Sequence, residues 1–305
     1  MADKNTILVV DDAPERYGFY WQIFNDDPEE FSPLPPQDRA ARYHPLVPHY
    51  LGDFSQFEAM FRQMVECGDR HPLCIIDMRF EKLNDNRRGL ETVRLVRELD
   101  PDISIVVATH LPDVEPEDIR EAAGDNAFLF RLPMVDDSLK ADFRDTVHGL
   151  VDRWNAKQRM MRSVRESAPV AVPLSEVLNG ICGEWHGKNA DIERYINPAL
   201  SVRSHREPLA QGLDCILRHA VETAPPHGCI RVFGEGTSSG AMVTVINEPR
   251  EAVASRSLDD LTRGGEQALG FFLFEAFLRL AGGSLKVESG GSSKETTLTA
   301  DIRNV

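Results

Sequence analysis

Four oxygen-bearing residues stand where short apolar runs of this sequence end. They are Asp11 and Asp12 after TILVV, Asp77 after LCII, and Thr109 after ISIVVA. Carboxylates that converge on one place repel each other unless a divalent cation lies among them, and a hard, oxygen-rich site with few protein ligands suits Mg²⁺. A cation of this kind helps a carboxylate to accept a phosphoryl group, because it neutralises charge on the transferring oxygens.

The apolar runs are typical of buried strands. They lack polar alternation, a fourth run from Ala127 to Phe130 closes on Pro133, and segments of helical character separate them. Strands covered on both faces and joined by helices form βαβ units and a parallel sheet. Chemistry in such sheets gathers beyond the carboxyl ends of the strands, which is where the four residues stand.

The motifs ILVVDD, CIIDM, IVVATH and FLFRLPM, in this order over roughly the first half of the chain, resemble the receiver domain of two-component response regulators. The resemblance implies an α/β fold, a doubly wound (βα)5 unit with a parallel sheet. It makes Asp77 the phosphoacceptor and Thr109 the hydroxyl that engages the phosphoryl group. It also implies that Mg²⁺ is held by Asp11, Asp12, Asp77 and the backbone carbonyl of Arg79.

Two features depart from the receiver pattern. Receivers carry a lysine immediately before the proline of the last strand, and here that position is Leu132. Arg131 lies one residue earlier, which on a strand means the opposite face. We therefore expect phosphorylation to couple weakly to conformational change unless Arg131 or Arg79 reaches the phosphoryl group.

Two insertions also enlarge the receiver pattern. The stretch from Asp26 to Pro45 is rich in prolines and charges and is predicted to be a surface insertion. The stretch from Glu81 to Gly89 follows the acceptor strand and is either a partner-binding lid or, the plainer interpretation, a longer solvated loop.

The length of 305 residues favours two domains. We predict a receiver domain over 1–136, a linker helix over 137–172 and a second domain over 173–305. The linker carries an apolar stripe at alternating four- and three-residue spacing, which is typical of a coiled-coil seam and predicts a homodimer. The alternative is one amphipathic helix packed on its own domain. The stripe consists of Phe143, Val147, Leu150, Trp154, Met161 and Val164.

The second half resembles the catalytic ATP-binding domain of histidine kinases and the wider GHKL ATPases. The resemblance rests on the order of predicted helices and strands after about Val172 and on LAGGSLKVES, which is similar to the end of the nucleotide-lid helix and the strand that follows it. It implies an α/β sandwich. No histidine with the phosphoacceptor context of these kinases occurs in the linker.

The nucleotide-binding positions of this family are degenerate. Two asparagines of the first box are replaced by Cys215 and His219, the aspartate of the second box by Asn247, and of the glycines of the third box only Gly270 is clearly retained. Imidazole suits Mg²⁺ poorly, and side chains in place of glycines obstruct the phosphates. ATP is therefore not expected as a cofactor. Cys215 and His219 share a helical face, so a metal site or a cysteine nucleophile is an alternative to the favoured role in core packing.

Composition excludes several classes of partner. A formal net charge of −15 repels both nucleic acid and an anionic membrane. No apolar run could span a bilayer, and no secretory leader is visible. The five cysteines contain no CxxC pair, which is typical of reduced packing residues. We expect a cytoplasmic protein.

These observations predict a response regulator in a two-component phosphorelay. An upstream histidine kinase or phosphotransferase would phosphorylate Asp77, and a non-catalytic pseudo-ATPase domain would act on an unidentified protein target. Two alternatives stay open: an atypical kinase or phosphotransferase with a working ATP site, and a scaffold that acts without phosphorylation.

Overall fold

The computed structural model forms two compact units, Met1–Asn155 and Ala156–Val305. It describes residues 6–11, 16–25, 47–51, 54–78, 88–124, 127–132, 134, 136–186, 190–249, 265–289 and 295–305. The boundary between the units falls inside the predicted linker helix. Each unit is described by itself below.

The sheet of the first unit is parallel throughout its five strands, as the apolar runs predicted. The strands are β1 (Thr6–Val10), β2 (Val47–Leu51), β3 (Leu73–Ile76), β4 (Ser104–Thr109) and β5 (Ala127–Arg131). Their order is β2-β1-β3-β4-β5. This is the order of flavodoxin-like doubly wound sheets, in which the direction of winding reverses between β1 and β3 and leaves a crevice at their carboxyl ends.

Helices cover both faces of this sheet. They are α1 (Arg16–Asn25), α2 (Phe54–Glu66), α3 (Arg88–Leu99), α4 (Pro116–Ala123) and α5 (Asp137–Glu166). Alternate strand residues enter two separate cores: Leu8 and Val10 pack with side chains of α2, α3 and α4, whereas Ile7 and Val9 pack with side chains of α1 and α5. Burial on both faces explains why the strands read as continuous apolar runs.

Strand β2 has no counterpart among the apolar runs identified in the sequence. Its sequence is VPHYL, and it lies at the edge of the sheet with β1 as its neighbour. Pro48 cannot donate a backbone hydrogen bond, and proline in sheets is confined to edge strands and a few special positions. Proline and histidine interrupt the apolar pattern by which a strand is recognised in the sequence. Both residues are compatible with an edge strand.

The apolar stripe of the linker helix is divided between the two units. Phe143, Val147 and Leu150 are buried in the core of the first unit, whereas Val164 packs against the core of the second. The first half of the stripe follows the alternative interpretation, a helix packed on its own domain. Three of the six residues proposed for a coiled-coil seam are thus core residues, because α5 supplies one of the layers that cover the parallel sheet.

The second unit is a sheet covered by helices. Its strands are β6 (Val170–Val172), β7 (Ala190–Ile196), β8 (Val202–Ser204), β9 (Gly228–Thr237), β10 (Gly240–Asn247), β11 (Ser284–Ser289) and β12 (Thr296–Arg303). Its helices are α6 (Leu174–Trp185), α7 (Arg206–Thr223) and α8 (Gly265–Leu280). The main sheet has the order β11-β12-β10-β9-β7, and its core contains side chains of all three helices.

Part of the predicted linker is a strand. Within the segment 167–173, β6 pairs antiparallel with β8 in a separate two-stranded sheet. Val172, the last residue of β6, is fully buried in the core of the second unit. The described part of the chain contains no helix that is both long and apolar enough to cross a bilayer.

Candidate functional site

Strand register brings Asp11 and Asp77 together. Strands β1 and β3 are parallel neighbours in which Val10 lies opposite Ile76, and the next residues are Asp11 and Asp77. The Asp77 backbone N–H donates to the carbonyl of Val10 at 2.9 Å, which fixes the two strand ends side by side. Both carboxylates are buried, with 0% of Asp11 and 1% of Asp77 exposed.

Arg16, which the sequence reading did not single out, connects these two carboxylates. Its Nη1 lies 3.0 Å from Asp11 Oδ2 and also forms an ion pair with Asp77 Oδ2. The Tyr20 hydroxyl donates to the same oxygen of Asp11 at 3.4 Å. Arg16 and Tyr20 are four residues apart on α1 and so share one face of the helix. Arg16 also lies five residues after Asp11 in the sequence. This position is the signal from which Arg16 could have been found.

The carboxylates also determine the ionisation of Arg16. Burial by itself lowers the pKa of the guanidinium, but the negative charges of Asp11 and Asp77 and their hydrogen bonds outweigh this effect. The pKa of Arg16 therefore lies above the ordinary value for arginine. A permanently charged guanidinium thus faces two buried carboxylates.

Thr109 lies at the same edge of the sheet, fully buried at the end of β4. Its Oγ1 accepts a hydrogen bond from the Leu111 backbone N–H at 3.1 Å. Leu132, which occupies the position of the receiver lysine, is buried in the apolar core between the sheet and helices α1 and α5. Its side chain therefore supplies no ammonium group to the carboxylates.

Arg131 binds the loop that follows β4. Its guanidinium donates to the backbone carbonyls of Leu111 and Val114. The sequence reading considered Arg131 as a substitute for the missing lysine. In the structure its hydrogen-bonding groups serve the segment between Thr109 and α4, which they hold to the end of β5.

The predicted magnesium ligands are only partly described by the structure. Asp12 and Arg79 lie outside the described residues, as do the insertion from Asp26 to Pro45 and residues 81–87. Carboxylate oxygens are the ligand type that Mg²⁺ prefers, but Oδ2 of Asp11 and Oδ2 of Asp77 already accept from Arg16. The described residues do not fit a resident Mg²⁺ while Arg16 keeps this position.

In the second unit, Cys215 and Gly270 meet in a helix–helix contact. Gly270 lies inside α8 rather than in a loop before it, and its Cα faces the sulfur of Cys215 on α7. The absence of a Cβ lets the two helices approach closely. Gly270 is thus a packing residue, which differs from the phosphate-loop glycine that the resemblance implied.

His219 and Asn247 are also engaged in packing around α7. The His219 ring meets the Phe271 ring of α8 edge to face, with centroids 5.3 Å apart. The Asn247 Nδ2 donates to the carbonyl of Ala220 at 3.2 Å and to Thr223 Oγ1 at 2.9 Å. The two positions that the resemblance assigned to nucleotide binding thus make packing and hydrogen-bond contacts around α7.

The environment of Cys215 disfavours ionisation of its thiol. Burial raises the pKa of Cys215 to about 12, and a thiol rather than a thiolate is present at neutral pH. The described residues contain no group of three or more His, Cys, Asp or Glu side chains arranged to hold a metal ion. For Cys215 and His219 the core-packing interpretation therefore accounts for their contacts.

Comparison with known proteins gives structural likeness and no relative in sequence. No family model matches the chain, and no curated protein matches it. Solved structures that are similar to about half of the chain include catalytic domains of histidine kinases. The catalytic domain of histidine kinase ThkA is 18% identical over 45% of this chain and 97% of its own, with a TM-score of 0.39.

Two further kinases give comparable values. Acinetobacter baumannii histidine kinase AdeS is 14% identical over 55% of this chain and 85% of its own, with a TM-score of 0.42. The mycobacterial sensor histidine kinase MprB is 17% identical over 45% of this chain and 99% of its own, with a TM-score of 0.36.

Proposed function

We propose that the chain is a signalling protein of the two-component type, built from a receiver unit and a kinase-type ATPase unit that has lost nucleotide chemistry. Asp77 is the phosphoacceptor, an upstream histidine kinase or phosphotransferase is the donor, and the second unit acts by binding a protein target. The proposal places this activity in the cytoplasm. The homodimer predicted from the sequence stays a prediction, to be tested by light scattering on the intact chain.

The observation that carries the first part is the placing of Asp11, Asp77 and Thr109 at the same edge of the sheet. They end β1, β3 and β4, three adjacent strands of a sheet whose winding reverses between β1 and β3. A lone aspartate at a strand end is usually a helix cap or a solvated residue, whereas these two carboxylates are buried side by side. Burying such a pair is costly, which favours a function for them.

Acceptance of a phosphoryl group at Asp77 needs little protein chemistry. A carboxylate oxygen of Asp77 attacks the phosphorus of the donor, a new O–P bond forms, and the bond to the donor group breaks. With acetyl phosphate as donor, acetate leaves with the bonding electron pair. The product is an acyl phosphate on Asp77, and the resemblance to receivers makes the hydroxyl of Thr109 the group that would engage it.

The contacts around α7 support the second part of the proposal. Cys215, His219 and Asn247 pack against α8 or against the backbone of α7 itself. An atypical kinase or phosphotransferase would need these positions for Mg²⁺ and adenine. The rival enzyme is tested by thermal unfolding with and without ATP and Mg²⁺, since a ligand that binds the folded state raises the melting temperature. A concentration-dependent rise would contradict the proposal.

The decisive experiment for the receiver is intact-protein mass spectrometry after incubation with acetyl phosphate and Mg²⁺. We expect one phosphoryl adduct on the native chain and none on Asp77→Asn. Asp113→Asn is the matched control, because Asp113 is an exposed aspartate in the loop after β4, and it should keep the adduct. An adduct that survives in Asp77→Asn would show that Asp77 is not the acceptor.

One observation favours the second candidate, a scaffold that acts without phosphorylation. Arg16 already neutralises part of the charge at Asp77, and Leu132 supplies no cation. For such a scaffold no adduct forms, and the protein target binds equally to the native chain and to Asp77→Asn. Binding that changes with acetyl phosphate only in the native chain would exclude this candidate.

A further inference from the structure

The two carboxylates at the ends of β1 and β3 share one positively charged partner, the guanidinium of Arg16. Asp11 and Asp77 are adjacent and almost wholly buried, which would be unfavourable for two like charges without a counter-charge. The Nη1 group of Arg16 carries two N–H bonds, and it has one acceptor on each carboxylate. One nitrogen of one side chain thus bridges both charges.

The position of Arg16 is supported by the helix that carries it. Arg16 is the first residue of α1, and Tyr20, one turn later, donates to the same Asp11 oxygen. Tyr20 is fully buried, and its ring stacks on that of Phe24 with centroids 6.0 Å apart. The start of α1 is therefore anchored in the core, which places the arginine beside the carboxylates. The side chain of Arg16 itself is 21% exposed, so it is partly in contact with solvent.

A divalent cation and Arg16 would need the same two carboxylates. Mg²⁺ binds carboxylate oxygens at about 2.0–2.1 Å with near-octahedral geometry. Oδ2 of Asp11 and Oδ2 of Asp77 both accept from Arg16 Nη1. A divalent cation on either oxygen of these carboxylates would lie close to the guanidinium and be repelled by its charge. Binding of the metal therefore requires the guanidinium to leave.

We propose that Arg16 is an internal cation that takes the place of the divalent metal at Asp11 and Asp77, so that metal binding and the Arg16 bridge exclude each other. The inference rests on the proposed function in that Asp77 is taken as the acceptor. It adds a regulatory step, because the site is closed by Arg16 and opens when the arginine swings outward. A partner or phosphodonor that binds the guanidinium would then activate the site.

The test is binding of Mn²⁺ alone, measured by the loss of the free-ion signal in electron paramagnetic resonance. Carboxylate sites for Mg²⁺ also accept Mn²⁺. We expect Arg16→Gln to bind Mn²⁺ about tenfold more tightly than the native chain or better, because a charge-assisted competitor is removed. The double variant Arg16→Gln/Asp77→Asn should lose this gain.

The matched control is Arg62→Gln, which removes the same charge from an arginine of the same unit. Arg62 is exposed and pairs with Glu58 on the surface of α2. Its substitution should leave Mn²⁺ affinity unchanged. Equal affinities of the native chain and Arg16→Gln would overturn the inference, and so would an equal gain in Arg62→Gln, which would indicate a general charge effect.

The melting temperature, measured without and with Mn²⁺, gives a second readout. Arg16→Gln should melt below the native chain in EDTA and recover with Mn²⁺, because the metal replaces the lost counter-charge. The native chain should respond little. If Arg16→Gln does not fold in either buffer, Arg16→Lys decides: it keeps the positive charge but carries it on a more strongly hydrated ammonium group, which leaves buried carboxylates more readily, and its Mn²⁺ affinity should exceed that of the native chain. An unchanged affinity would overturn the inference.

The acetyl phosphate reaction separates this inference from the proposed function. A gain of Mn²⁺ binding in Arg16→Gln without any adduct on Asp77 would support the internal cation and contradict the phosphoacceptor. Tight Mn²⁺ binding and a full adduct on the native chain would support the phosphoacceptor and contradict the internal cation. Faster adduct formation in Arg16→Gln than in the native chain would support both.

Discussion

Gly270 lies so close to Cys215 that a Cβ atom on the glycine would be 2.5 Å from the cysteine sulfur. The two residues join α8 to α7 where a nucleotide site would otherwise be expected. Real Cβ atoms do not approach sulfur so closely, so either the sulfur or the helix must move when a side chain is added. The contact makes Gly270 a test of how tightly this part of the second unit is packed.

We predict that Gly270→Ala destabilises the protein by about 1–3 kcal/mol, although alanine is the better helix former. The measurement is chemical denaturation. Cys215→Ala should remove the clash, so that Gly270→Ala made in the Cys215→Ala variant is neutral or favourable for stability. Gly180→Ala is the matched control: Gly180 lies in α6 with nothing near its Cβ position, and the change should stabilise by about 0.5–1 kcal/mol. Additive effects of Gly270→Ala and Cys215→Ala would contradict the contact.

Asn247→Asp should destabilise the second unit rather than restore a nucleotide site. Asn247 donates to the carbonyl of Ala220, and an ionised carboxylate there has no proton to donate. The expected loss is about 1–3 kcal/mol or more at neutral pH. Burial would raise the pKa of the new carboxyl above its unfolded value of about 3.9. The penalty should therefore shrink as the pH falls toward 4.

Denaturation of Asn247→Asp and the native chain at several pH values measures this effect. Asn247→Ala, which removes the donor without adding a charge, is the control and should show no such pH dependence. A variant that is as stable as the native chain at neutral pH and gains a melting-temperature rise with ATP would contradict the prediction.

Thiol labelling should distinguish the five cysteines. Cys67 and Cys229 are exposed, whereas Cys74, Cys182 and Cys215 are buried. Burial raises the pKa of Cys215 to about 12 and that of Cys182 to about 11. We expect a maleimide at pH 8 to modify the two exposed thiols of the folded chain, and the buried three only in denaturant.

Peptide mass spectrometry assigns the labelled positions. Cys67→Ser and Cys229→Ser should each remove one rapidly labelled position and leave the others unchanged. Rapid modification of Cys215 in the folded chain would support the alternative interpretation, in which Cys215 is a nucleophile.

Arg131→Met should loosen the loop after β4. The substitution removes donors to the carbonyls of Leu111 and Val114 while keeping most of the aliphatic length. We expect a loss of about 1 kcal/mol and faster amide hydrogen exchange in residues 110–115. Arg120→Met is the control, since Arg120 forms an exposed pair with Glu117, and it should cost at most about 0.5 kcal/mol. Unchanged exchange in the loop would argue against the restraint.

The sequence by itself determined the buried strands and the placing of Asp11, Asp77 and Thr109 at their carboxyl ends. A strand buried on both faces must be apolar throughout, so β1, β3 and β4 are visible without coordinates. The order of helices and strands after about Val172 could also be predicted from the sequence. The polar edge strand β2 escaped notice, because its proline and histidine break the apolar pattern and its pairing depends on β1, which lies about forty residues away in the sequence.

Only the tertiary structure decided which charges meet. Arg16 is one of 34 basic residues, and its spacing after Asp11 makes it only a candidate until the start of α1 is placed beside the ends of β1 and β3. Likewise, the role of Gly270 depends on how close α8 lies to Cys215 of α7. Local pattern determines strands and helices because it reflects burial along a single element. Contacts between elements depend on distances that no local pattern contains, and these contacts carry the chemistry of both units.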